Sequence, residues 1–259
     1  MSTAPFPVAL NTFREAVRDR VLYNLIFFAL LLIGAAVLVG QISIGIERLV
    51  IINLGLSAIS LFGLVMAIFI GVGLVSKEIE KRTLYSLLAK PIRRWEFLVG
   101  KYAGLVLTLA VNTAFMTIGL LIALFYVGHP LVRSDALIFV AVYFILLELA
   151  LVTAIALFFS CFSSPMLSTL FTIGIYITGC FAGDIRNFGD FTKSSAMKAI
   201  TRVIYYLVPN FHNFNAITAA SHADSISLSL ILQNTVYAAL YVAVVLVAAS
   251  AVFSNRNLK

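Results

Sequence analysis

The chain has 259 residues, of which 62% are hydrophobic and only 11% charged, with a mean hydropathy of +1.06; soluble domains carry about 25% charged residues. This composition excludes an ordinary soluble protein and predicts a polytopic membrane protein, in which about six spans of roughly 20 residues leave no room for a soluble catalytic domain of usual size. The net charge of +7 and pI near 9.5 do not imply nucleic acid here, because the cations flank apolar runs, where they orient the chain and meet lipid headgroups.

The first nineteen residues hold Phe6, Leu10, Phe13 and Val17 at spacings of four, three and four, with Asn11, Arg14, Glu15 and Arg18 between them. That stripe predicts an amphipathic helix lying in the membrane interface, in preference to a frayed basic tail. The first apolar run starts only at Val21 and is too long for a signal-peptide core, so it reads as an uncleaved span. Spans are predicted over residues 21–40, 53–75, 102–127, 136–160, 166–183 and 228–253, giving an all-α single transmembrane domain over residues 1–259. Twelve Lys and Arg residues fall on the side that holds both termini and six on the other. This bias predicts cytoplasmic termini in a multi-pass protein of the inner membrane.

Between the second and third spans, residues 76–101 carry seven of the eighteen Lys and Arg residues. Thr83 is placed to cap a short helix, Leu84, Leu87 and Leu88 share one face, and Pro91 ends it. Glu78 and Glu80 precede this apolar knob, and Lys81, Arg82, Lys90, Arg93 and Arg94 surround it. Charge alone is compatible with simple orientation and lipid contact. The ordered apolar content favours docking against a protein.

Those residues carry a family likeness. Glu78 and Glu80, then Thr83-Leu84, Leu87-Leu88, Pro91-x-x-Arg94 and Gly100-Lys101 resemble the cytoplasmic loop of ABC-2-type transporter permeases, with Arg82 where a glycine is usual. The span count, the N-terminal helix and the long last external segment also resemble that family, most of all the small permeases encoded beside separate ATPases, including those linked to copper-enzyme maturation. The resemblance implies a coupling helix seated on a cytoplasmic ABC ATPase. It also implies two permease copies, identical or closely homologous, with two ATPases, and transport that is outward. Glu78, Glu80, Thr83, Leu84, Leu87, Leu88, Pro91 and Arg94 are the implied ATPase contacts. ATP and magnesium would then reside on the partner and no cofactor on this chain. A nucleotide loop of its own is excluded at Gly100-Lys101, since Trp95 stands where Walker A requires its first glycine and Tyr102 where it requires Ser or Thr.

The external segment 184–227 contains Val203 to Pro209, too short to span and too apolar for a solvated loop. A re-entrant hairpin acting as an outer gate is one reading, with Tyr205, Tyr206 and Phe211 at headgroup depth beside Pro209. A lid that only packs on the bundle, or receives an external accessory protein, is the other. Within the membrane, Glu148 is costly unless it faces protein or water; it is read as a hydrogen-bonded helix contact, with a substrate or proton role as the alternative. Asn112 is read as interhelical glue, and Gly174, Gly179 and Gly183 as a small-residue surface at a dimer seam or pathway. Cys161 and Cys180 form no disulfide or zinc pattern, and His129, His212 and His222 lack metal spacing. An ion-coupled carrier using Glu148, a membrane-embedded enzyme and a non-transporting anchor are the competing functional classes.

Overall fold

The structure is a computed structural model and describes residues 5–18, 20–43, 45–80, 94–127, 135–191 and 194–255. Every regular element among them is helical: α1 (Pro5–Val17), α2 (Arg20–Ile42), α3 (Glu47–Glu80), α4 (Arg94–Tyr126), α5 (Ala136–Ser160), α6 (Pro165–Cys180), α7 (Ala182–Phe191), α8 (Ser195–Leu207), a 3-10 turn (Phe211–Phe214), α9 (Ile217–His222) and α10 (Leu228–Asn255). Lipid offers no partner for exposed backbone groups, so spanning segments of this composition close their hydrogen bonds internally, as helices do.

Among the described residues five helices are long and apolar enough to cross a membrane: Leu22–Ile42, Glu47–Gly73, Trp95–Tyr126, Ala136–Ser160 and Leu228–Ser254. The predicted fifth span is a broken one. α6 has 16 residues, about 24 Å at 1.5 Å per residue, which falls short of a hydrocarbon core of about 30 Å. The chain then bends by 61° into Ala182–Phe188. The prediction of a continuous helix over 166–183 is corrected accordingly; counted as one broken span, the pair makes six.

α5 occupies the centre. It is apolar on all sides, and Ile138, Ala141, Phe144, Leu151, Ala154 and Leu157 are each buried to within 1%, against α3, α4, α6 and α10. By contrast, α2 and α10 bury small fractions of their length and turn Phe27, Leu31, Leu38, Val236, Leu240 and Val244 outward. A helix that stays apolar on its exposed face is suited to lipid.

α3 and α4 are the longest spanning helices, 34 and 33 residues. At 1.5 Å per residue each approaches 50 Å, more than the roughly 30 Å hydrocarbon core. The segment read from sequence as a loop over 76–101 is consequently much narrower. Ser76 to Glu80 continue α3, and Arg94 to Lys101 belong to α4.

Candidate functional site

Of the predicted coupling residues, Thr83, Leu84, Leu87, Leu88 and Pro91 lie outside the described residues. Glu78 and Glu80 stand on the last turn of α3, and Arg94 opens α4. What the structure defines is the base of this segment, where α4 begins. One face of its first two turns is deeply buried, with Glu96 3% exposed, Leu98 1% and Lys101 2%, while Trp95 stays 46% exposed. A second core forms around them, separate from the main one, in which Phe97, Leu98 and Leu105 of α4 meet Ala16 of α1, Leu157 at the end of α5, and Ala249 and Phe253 of α10. The Phe97 and Phe253 rings stack at 6.3 Å.

α1 lies along this part of α4. The approach is close because α4 offers hydrogen atoms where other residues carry side chains. A Cβ on Gly104 would sit 2.5 Å from the Ala9 carbonyl oxygen and 2.7 Å from Thr12 Cβ, and one on Gly100 2.8 Å from the Pro5 carbonyl oxygen. Such spacing of small residues lets two helix backbones touch. Lys101, between the glycines, holds its Nζ 3.8 Å from Glu15 Oε2 of α1 and 5.8 Å from the Phe97 ring centre. Sequence reasoning counted Lys101 with the exposed basic stretch and missed this pairing. The signal was the Gly100-x-x-x-Gly104 spacing around it.

α1 buries Thr12 and Ala16, whereas Phe6 and Leu10 of the predicted stripe are exposed. The helix uses its small residues on α4 and presents large apolar ones outward.

The intramembrane polar residues fall into two separate contacts. Glu148 on α5 is buried and accepts a hydrogen bond from the Tyr176 hydroxyl of α6 at 2.9 Å. Asn112 on α4 donates to Met66 Sδ on α3 at 3.8 Å, a weak bond because a thioether is a poor acceptor. Tyr176 also packs its ring 5.0 Å from Phe211, so one residue joins the buried carboxyl to the irregular segment around residues 207–215.

That segment is stitched down at several points. The Asn210 backbone N–H donates to the Tyr237 hydroxyl at 3.0 Å, Asn234 Nδ2 donates to the Asn213 carbonyl at 2.7 Å, and the Tyr241 hydroxyl donates to the Leu207 carbonyl at 2.7 Å. All three side chains belong to α10. From the other side Gly179 receives the Pro209 carbonyl and the Phe211 ring in the space a Cβ would fill. Gly179 therefore serves contact within the chain, while Gly174 and Gly183 have no atom within 4 Å of such a Cβ.

Phe211 is 2% exposed and belongs to the main core, because the short 3-10 turn folds it inward against Tyr176. Pro209 is buried, Tyr205 half-buried and Tyr206 exposed. At the same end as the α3–α5 starts, Arg48 and Asp135 form an ion pair that joins those two helices. Both cysteines are free thiols, and among the described residues no group of three or more His, Cys, Asp or Glu side chains is placed to hold a metal.

A bundle of apolar spans interrupted by one short basic segment defines a multi-pass membrane protein. The chain belongs to the ABC-2 family transporter proteins, whose family model matches residues 6–258. No match is found among the curated proteins. Membership makes the chain a multi-pass permease of the ABC transporter class, a family that works with an ABC ATPase.

Proposed function

We propose that this permease is driven by a separate ATPase that grips the segment around residues 81–93, and that α4 transmits the stroke. The observation that carries the reading is the burial at the base of that segment. Glu96, Phe97, Leu98 and Lys101 are locked into a core shared with α1, α5 and α10. A push on the preceding residues is thereby delivered to four helices at once, since close-packed interiors transmit displacement.

In this reading Leu84, Leu87 and Leu88 form the apolar face of a coupling helix, capped by Thr83 and ended by Pro91, with Glu78, Glu80 and Arg94 as polar contacts. ATP and magnesium are bound by the partner. Both termini lie in the cytoplasm of a cell with the permease in its inner membrane, and α1 rests in the interface with Phe6 and Leu10 toward lipid. Two copies assemble with two ATPases, Gly174 of α6 and Gly183 of α7 lie along the seam or pathway, and the hairpin containing Tyr205, Tyr206, Pro209 and Phe211 gates the outer side for export.

The test is co-purification with the cognate ATPase and comparison with Leu87→Asp. A charge in the centre of a desolvated apolar contact should lower permease-stimulated ATP hydrolysis at least tenfold, as truncated hot-spot residues do. Undiminished stimulation would refute the coupling assignment. A carrier reading built on Glu148 makes the opposite forecast: transport would persist without the ATPase and vanish in Glu148→Gln. The Tyr176 hydrogen bond supports a structural use of Glu148 instead.

A further inference from the structure

We propose that the junction of α7 and α8 is a binding site for a phosphate-bearing anion, filled by the headgroup of an acidic phospholipid. Arg186 of α7 and Thr201, Arg202, Tyr205 and Tyr206 of α8 line a cavity of about 290 Å³. Two guanidinium groups from different helices thus face one space. Guanidinium is the side chain whose planar fork matches phosphate oxygens in pairs.

The donors are held in place. Arg186 lies over the Tyr205 ring, 5.0 Å from its centre, and its Nη1 donates to the Tyr205 hydroxyl at 3.4 Å. Accepting that bond leaves the phenol its own proton to donate. Thr201 contributes shape rather than a donor, because its hydroxyl proton is directed to the Met197 and Lys198 carbonyls at 3.0 and 3.1 Å. Lys198, one turn before Arg202 on α8, adds a third cation to the neighbourhood.

The flank of α8 identifies the source of the anion. Ile200, Val203 and Leu207 recur at spacings of three and four and are 55%, 62% and 72% exposed. A helix with a bare apolar stripe on one side and Arg and Tyr on the other settles at the membrane interface. There its cations meet the phosphate layer of the lipid headgroups. The cavity then opens at headgroup depth, with the stripe beside it for the acyl chains.

The experiment uses the full-length protein in neutral detergent. It is titrated separately with mixed micelles of phosphatidylglycerol, with phosphatidylcholine micelles as reference, and with sodium phosphate at fixed ionic strength. The expected result is saturable binding of phosphatidylglycerol that weakens about fivefold or more in each of Arg186→Gln and Arg202→Gln, since one charge-assisted pair is lost in either case. Tyr205→Phe, which removes one hydroxyl and keeps the ring, should weaken it about twofold and guards against a variant that fails to fold. If sodium phosphate alone shows the same variant dependence, the site stands and a free anion is its ligand. If all three variants bind both probes as the parent does, the proposal is overturned.

Discussion

The two ends of this bundle are fastened by different chemistry. At the α1–α4 end, small residues bring two backbones into contact around a buried Lys101 that faces Glu15. At the end holding residues 207–215, neutral Tyr and Asn side chains of α10 hydrogen-bond the backbone of an irregular segment. Backbone-to-backbone packing tolerates no added atom and moves as a block. Single hydrogen bonds each contribute about 1 kcal/mol net, so a segment held by a few of them opens at modest cost. The first end is held as a block, the second by separable bonds.

The comparison is broken most severely at Gly104. Gly104→Leu places a side chain where the Ala9 carbonyl and Thr12 lie and should cost about 3 kcal/mol by overpacking, seen as a lowered melting temperature in detergent and faster proteolysis of α1. An unchanged melting curve would mean that α1 is not seated as described. Next comes Tyr176→Phe, which leaves the buried Glu148 carboxyl without its donor and should cost about 2 kcal/mol. Glu148→Gln, whose amide oxygen still accepts from Tyr176, should cost less, and the order of the two sharpens the structural reading. The smallest effect belongs to the outer stitches. Tyr237→Phe and Asn234→Ala should each cost about 1 kcal/mol, with faster amide exchange over 209–215 and unaltered protection of α1. Loss of protection at both ends together would show that the two are not independent.

Much of the fold was legible in advance. Hydropathy located five spans to within a few residues, with the larger misses at helix ends that run on past the apolar stretch: α3 continues to Glu80 and α4 starts at Arg94. Those turns are charged, and a hydropathy window cannot distinguish a charged helical extension from a loop. The site was less legible. Glu148 was read as a residue in need of a partner, but Tyr176 lies 28 positions away and nothing in its own neighbourhood announced it. The packing of Gly179 against Phe211 within the chain was not legible either. Lys101 was counted with the cations of the segment 76–101, and its burial came only with the structure.

Composition and local pattern alone determined that this is an all-helical membrane protein, because transfer into lipid is nearly additive over each segment. Only the tertiary structure decided which helix is central, where the fifth span breaks, and which polar groups face one another. Those outcomes depend on how closely distant backbones approach, and that distance is a property of pairs of segments rather than of either one.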